Sequence, residues 1–420
     1  MSKFVLPACI ASPLFACVAH AALPDAWTDF ELQARTNLLV NDEGWNLPPG
    51  SSFNSIDASL NDNAEVAFTV GVVPDGGSSH AGMWYGSHGV GGLVYEAPNN
   101  EVLIGSRSPI NAAGSIVFRL FAGPDEGLYV YDQTSGTAER ISTSPVFPNS
   151  YGSEDINASG ALGYQAGMSG GRLYAATDAD GTVIYASDNG LDPESPYTYM
   201  YSSAFNDAAH IAAKVATSGD YSKEEVRLFA ADGTSTLIVA NQATDPESPY
   251  AEFDNSLDVN NNDVVAVVAE RAADGRRVVL RSDGTTTTEI AAVDPAGTIR
   301  AIESFAPSIN DAGWVVFRAR DENGQAIYIG DGETLVRVIG KGDVVETDLG
   351  TAQIGQHIDD PNGWPIFSGK PAINALGDIA FVAGLHPKGD SQTEWGSGVF
   401  VAYAPEAKPT DIVFRDGFDG

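Results

Sequence analysis

Ser308 to Ala319 reads SINDAGWVVFRA, and this pattern decides the fold. Asn310 followed three residues later by Gly313 is a turn signal. The asparagine side chain caps the turn, and glycine accepts the left-handed conformation at its exit. A strand follows. Val315 and Phe317 share one of its faces, because strand side chains alternate, and Val316 lies on the other. A strand that is apolar on both faces sits between packed sheets.

The pattern recurs along the chain. PINAAGSIVFRL from Pro109 and AINALGDIAFVA from Ala372 are close copies. SLNDNAEVAFTV from Ser59, DINASGALGYQA from Asp155, AFNDAAHIAAKV from Ala204 and DVNNNDVVAVVA from Asp258 are weaker ones. Their asparagines are Asn61, Asn111, Asn157, Asn206, Asn260, Asn310 and Asn374, at intervals of 50, 46, 49, 54, 50 and 64 residues. Gly114, Gly160, Gly313 and Gly377 hold the fourth position. Ala64, Ala209 and Asp263 replace it elsewhere, so three turns are expected to be strained or of another type. Most units also carry a second hairpin, such as RLYAATDADGTVIYA from Arg172 or RVVLRSDGTTTTEIA from Arg277. Each unit thus offers about four short strands, the make-up of one propeller blade.

One unit cannot fold alone. Burying the inward side chains of one motif contributes roughly 3–6 kcal/mol, whereas ordering the unit costs on the order of 1–2 kcal/mol per residue. Its sheet must pack against neighbours. The expected fold is therefore all-β: a seven-bladed β-propeller of about 50-residue, four-stranded repeats over residues 22–404. Six blades plus an irregular cap is the competing count, because the last interval is the longest. ELQARTNLLV, Glu31 to Val40, precedes the first motif as an orphan strand. It is expected to pair with the unit from Asn374, whose strand sequence ends at GVFVAY, and so to close the ring and remove an exposed edge.

Residues 1–21 read as a secretory signal peptide. Lys3 is the positive start, Phe4 to Val18 the apolar stretch and Ala19-His20-Ala21 the cleavage site. Leu14-Phe15-Ala16-Cys17 loosely matches a lipobox, but the bulky Phe15 argues against a lipoprotein. Both cysteines, Cys9 and Cys17, fall in this segment, so cleavage leaves a chain without disulfides. A secreted or cell-surface protein is expected, with the periplasm as the other compartment. The 56 acidic and 22 basic side chains give a net charge of −34, which repels phosphate backbones and anionic lipid heads. Nucleic acid and membrane surfaces are excluded as partners on this ground. A monomer without a transmembrane segment in the mature chain is expected.

In its motif the chain resembles the secreted bacterial tandem-repeat proteins named for an NxxGxxAF repeat, the choice-of-anchor family. Asn374-Ala375-Leu376-Gly377-Asp378-Ile379-Ala380-Phe381 carries the repeat nearly intact, and the units at Asn111 and Asn310 carry it with Val for Ala. The resemblance covers roughly Asn61 to Tyr403. It implies a signal peptide and varied C-terminal sorting segments, and brings no catalytic residues. The end of the 405–420 tail, DIVFRDGFDG, is similar to IFxDGFE-like ends of some secreted Gram-negative proteins. It reads as a sorting tag, or else as a frayed terminus or added edge strand.

Chemistry is sparse. His20, His80, His88, His210, His357 and His386 include no HxH or HxxxH pair, and no GxSxG elbow, Walker loop or dinucleotide fingerprint occurs. Ser308 to Trp314 superficially matches a sialidase Asp-box, but Asn stands where that box needs Asp. No cofactor and no metal is expected. Calcium at Asp-rich turns such as Asp178 to Gly181 or Asp321 to Gly324 is the alternative, and ordinary hairpin turns explain them better. DPESPY occurs twice, at Asp192 and Asp245, as equivalent inter-blade loops. Tyr197, Tyr199 and Tyr201 form a stripe on one strand face, by blade packing or for gripping a partner. The expected function is non-enzymatic: an exported binding or scaffold propeller for an unknown protein or glycan. The alternative is a secreted hydrolase or lyase acting on polysaccharide with carboxylates from different blades. Inward carboxylates at the central channel would favour catalysis, and neutral walls would favour binding; fold alone does not decide.

Overall fold

The computed structural model describes residues 22–36, 44–53, 56–72, 80–97, 103–105, 107–121, 126–356 and 366–405. Residues 1–21, read above as a signal peptide, with both cysteines and His20, and also His357 and residues 406–420, lie outside them.

Seven antiparallel sheets follow one another along the chain, each carrying one motif. Blade three shows the plan: strands Ser150–Ile156, Leu162–Met168, Gly171–Asp178 and Gly181–Ser187 pair in sequence order. The asparagine turn joins the first strand to the second. Blade seven is built from Phe367–Ile373, Ile379–Pro387 and Gly396–Tyr403, and its fourth strand is Asp29–Thr36 from the other end of the chain. Asp29 pairs with Tyr403 and Thr36 with Ser397, so the ring closes through the N-terminal strand. The remainder of the predicted strand, 37–40, falls outside the described residues. Seven blades, not six plus a cap, is the count. The 64-residue interval includes an extra hairpin, Val344–Thr347 with Gly350–Ile354, added to the same sheet.

The core lies between blades. Every residue at the fifth, sixth and seventh positions after an asparagine is buried. The fifth and seventh face the preceding blade and the sixth faces the following one. Thus Ala67 joins Ile116 and Phe118, Ala212 joins Val265 and Val267, and Ala380 joins Val66 and Phe68. Seven such clusters line the seven interfaces. Gly163 holds the sixth position in blade three because a Cβ there would come within 2.3 Å of the Phe205 ring.

All seven turns keep one left-handed geometry. Ala64, Ala209 and Asp263 take φ of 56°, 58° and 62°, beside 78° at Gly114 and Gly313, 86° at Gly160 and 90° at Gly377. The three substitutions therefore strain the turn without changing its type.

Candidate functional site: the mouth of the central channel

The first strand of every blade is interrupted shortly before its asparagine. In blades three, four, five and seven it bulges, between Gly152 and Asp155, Met200 and Ser203, Phe253 and Leu257, and Ser368 and Ala372. In blade six it splits into Ala301–Ile302 and Ser308–Ile309, and blades one and two are similarly broken. Bulges re-aim side chains. Here they turn the residue four before each asparagine towards the axis: Asp57, Arg107, Ser153, Ser202, Ser256, Ala306 and Lys370. With Ser203, Leu257, Ser304 and Phe305, these residues line a cavity of about 300 Å³. The longer connections between blades, among them 188–196, 241–249 and 293–300, lie at this end of the strands. Binding residues concentrate where loops are long and a rigid scaffold carries them.

Below this rim sit Asp155 and Asp258. Asp155 Oδ2 lies 3.7 Å from Arg107 Nη2, and Asp258 Oδ2 lies 4.0 Å from Lys370 Nζ. Each of the three carboxylates also accepts a backbone N–H: Asp57 from Lys370 at 2.8 Å, Asp155 from Ile156 at 3.0 Å and Asp258 from Ile309 at 3.2 Å. Burial pushes the Asp155 carboxyl up, only partly offset by Arg107 and Lys370. Burial works against the Arg107 charge too, but Asp155, Glu154, Asp57 and Asp258 outweigh it and hold the guanidinium above its ordinary value. The channel wall is thus neither neutral nor a set of free acids.

Long polar side chains brace the bulges from the neighbouring blade. Gln165 Nε2 donates to Met200 O at 2.9 Å and Tyr201 O at 2.7 Å, Lys214 Nζ to Phe253 O at 2.6 Å, and Arg318 Nη1 to Gly369 O at 2.7 Å. Arg119 reaches Tyr151 O in the same way. All four stand eight residues after their asparagine. Arg318 also lies 3.8 Å from the Phe305 ring centroid, which holds that ring in the cavity wall. Sequence reasoning missed this set. Its signal was the Arg, Gln or Lys immediately after the last motif position.

The opposite end of the channel is lined by the predicted turn residues, which surround a second cavity of about 190 Å³. Each asparagine Oδ1 accepts from its own turn, as Asn111 does from Ala113 N and Ser115 N. Six of the seven also donate Nδ2 to the backbone carbonyl of the next motif asparagine, at 2.9–3.2 Å, ending with Asn374 to Asn61. From blade three to blade four, Ala158 N donates instead to Asp207 Oδ1 at 2.6 Å. The asparagine ring therefore joins blades as well as capping turns.

Other sequence candidates are dispersed. His80 pairs with Glu96 at 2.6 Å, while His88 lies 3.3 Å from Glu31 and 3.0 Å from the Tyr403 hydroxyl. Asp178 Oδ1 accepts from Asp180 N and Gly181 N, and Asp321 Oδ1 from Asn323 N and Gly324 N, as hairpin-turn caps do. Among the described residues no three His, Cys, Asp or Glu side chains are grouped to hold a metal ion. In the DPESPY loops, Ser195 donates to Ser187 O and Ser248 to Ala240 O, both at 2.6 Å, so the two loops are equivalent connectors. The tyrosine stripe is shorter than its spacing implies. A bulge between Tyr197 and Tyr199 sends Tyr197 into the core against Phe229, leaving Tyr199 and Tyr201 half-buried beneath Arg172 and Lys214. No helix among the described residues is long and apolar enough to cross a membrane.

No protein-family model and no curated protein matches the chain. Among solved structures it is similar to polysaccharide lyase Uly1, with 9% identity and a TM-score of 0.47 over 90% of this chain and 99% of that one. The Dos1 propeller gives 11% identity and a TM-score of 0.35 over 67% of this chain and 68% of that one. TolB from Acinetobacter baumannii gives 14% identity and a TM-score of 0.42 over 66% of this chain, which spans 64% of the TolB chain, under two thirds of it. These likenesses concern architecture, and the sheet order set out above makes this chain a seven-bladed, all-β propeller.

Proposed function

We propose that this chain is an exported binding propeller that seats its ligand over the channel mouth without transforming it. The observation that supports this reading is the commitment of the mouth's carboxylates. Asp57, Asp155 and Asp258 each accept a backbone N–H, and Asp155 and Asp258 each also neighbour a cation. A nucleophile or general acid needs a carboxyl that faces the reacting atoms. Here Asp57 lines the cavity but is tied to blade seven through Lys370 N, Asp155 and Asp258 lie below the rim, and the other groups facing the cavity include serine hydroxyls, a phenyl ring and two cations. Export rests on residues 1–21, and the NxxGxxAF resemblance implies the same class of protein.

The test is a glycan and secretome-wide binding screen of the chain from Ala22, run beside turnover assays on polysaccharides and esters. Expected is a ligand retained without turnover and lost in Ser256→Trp, which fills the mouth. Turnover abolished by Asp155→Asn or Asp258→Asn would instead establish the hydrolase or lyase.

A further inference from the structure

We infer that the ligand of this mouth is a hydroxylated carboxylic acid of single-sugar size, such as a hexuronate unit, its carboxylate taken by Arg107 and Lys370. The inference rests on the binding reading above and names the ligand class for the same site.

The argument is one of unspent donors. Cations that serve the fold are held by short, direct bonds here. Arg35 bonds Asp348 at 2.8 and 2.9 Å and Trp395 O at 3.0 Å. Arg277 bonds Asp254 at 2.6 and 3.1 Å, and Lys214 bonds both Glu224 and Phe253 O at 2.6 Å. Arg107 and Lys370 differ. Their nearest carboxylates stand 3.7 and 4.0 Å away, and neither head group has a hydrogen bond to a described residue. A guanidinium offers five donors and an ammonium three. Two such groups on blades two and seven, either side of Asp57, keep donors that no described residue accepts and that reach the cavity.

The remaining wall fixes the kind of acid. The side chains of Ser153, Ser202, Ser256 and Ser304 likewise have no hydrogen bond to a described residue, so they are free to bond ligand hydroxyls. Phe305, pinned on one side by Arg318, offers a flat apolar surface to the C–H face of a pyranose. A volume of about 300 Å³ is at the small end of ligand sites. Charge sets the upper limit. Two cations stand among Asp57, Asp155 and Asp258 in a chain of net charge −34, which leaves no surplus of positive charge, so a ligand with more than one carboxylate is disfavoured and a compact dianion is repelled. A planar carboxylate also suits the guanidinium fork.

Titration calorimetry on the chain from Ala22 tests this with D-galacturonate, trigalacturonate, D-galactose and inorganic sulfate. Galacturonate, free or as the oligomer's terminal unit, should bind. The comparison of the two says whether the natural source is a free acid or a chain end. Galactose and sulfate should each bind at least about tenfold more weakly. Arg107→Gln and Lys370→Met should each weaken galacturonate by about tenfold or more, and Arg107→Lys should recover part of it. Thermal melts of the variants accompany the titrations, and the Lys and Gln variants at position 107 are compared at equal stability. Absence of galacturonate and trigalacturonate binding at millimolar concentration, or indifference to Arg107→Gln, overturns the inference. A neutral ligand that is lost in Ser256→Trp but unaffected by Arg107→Gln would overturn the charge class alone. A ligand unaffected by Ser256→Trp would overturn the mouth itself.

Discussion

In Asn310 the carboxamide is divided between two blades: Oδ1 accepts the Trp314 N–H at 3.0 Å, capping its own turn, while Nδ2 donates to Asn374 O at 3.2 Å in the next blade. The two roles can be separated chemically. Asn310→Asp keeps the cap acceptor but puts a carboxylate oxygen against a buried carbonyl that has lost its donor. An unmet buried polar group costs about 1–3 kcal/mol. Asn310→Asp should therefore lower stability by about that amount, and Asn310→Ala, which also loses the cap, by about 1 kcal/mol more. Asn157 is the internal control, because its Nδ2 makes no such bond among the described residues, and Asn157→Asp should cost clearly less than Asn310→Asp. Urea unfolding midpoints measure both. Equal losses at the two positions would mean that the asparagines act only as turn caps.

At the scale of the strand, ring closure depends on Asp29–Thr36. This strand covers the outer edge of Gly396–Tyr403 along its length, and buried Leu32 and Ala34 enter the cores on either side of blade seven. Removing residues 29–36 exposes that edge and opens two of the seven interfaces, so the whole ring should lose cooperative folding. A deletion variant that kept the parent's single calorimetric transition and melting temperature would refute closure by this strand. The strand was legible because it is a β-rich segment lying before the first motif, with a blade short of one strand at the other end. Blade number, hairpins and the double-faced second strand were legible for the same reason: each follows from local turn chemistry and period-two alternation. The binding mouth was not. Its residues lie four before each asparagine, inside bulges, where alternation breaks and Asp57, Arg107, Ser153 and Lys370 share no chemistry a repeat could reveal. A separate register shift on the same strand as the Met200–Ser203 bulge, between Tyr197 and Tyr199, removed Tyr197 from its stripe. Only the Arg, Gln and Lys eight residues after the asparagines left a trace of these bulges, since a long donor in an otherwise apolar strand needs an acceptor across the interface.

Across the whole molecule, two sets of carboxyls pull stability in opposite directions with pH. Burial pushes the Asp155, Glu224 and Asp378 carboxyls up, against the weaker opposing pull of the Arg107 charge, the Lys214 ammonium and the Ala404 N–H, respectively. A group with a raised folded value holds more protons folded than unfolded, so its contribution grows as pH falls through the window above the ordinary carboxyl value near about 4. Self-repulsion of the net charge of −34 eases over the same range. Turn aspartates behave oppositely. Backbone N–H bonds hold the Asp132, Asp220 and Asp283 carboxyls down, and side-chain hydroxyls lead the same effect at Asp232 and Asp390. Their contribution is complete above the ordinary value and is lost as pH falls through the lowered folded values. The melting temperature should therefore rise from about pH 8 to about pH 5 and fall below about pH 4. Salt separates the causes, because it screens surface repulsion and leaves the proton on a buried carboxyl in place. Adding sodium chloride should raise the melting temperature more at pH 8 than at pH 5, and a gain from pH 8 to pH 5 should persist at high salt. If that gain vanished at high salt, surface repulsion alone would account for it and the buried carboxyls would contribute nothing.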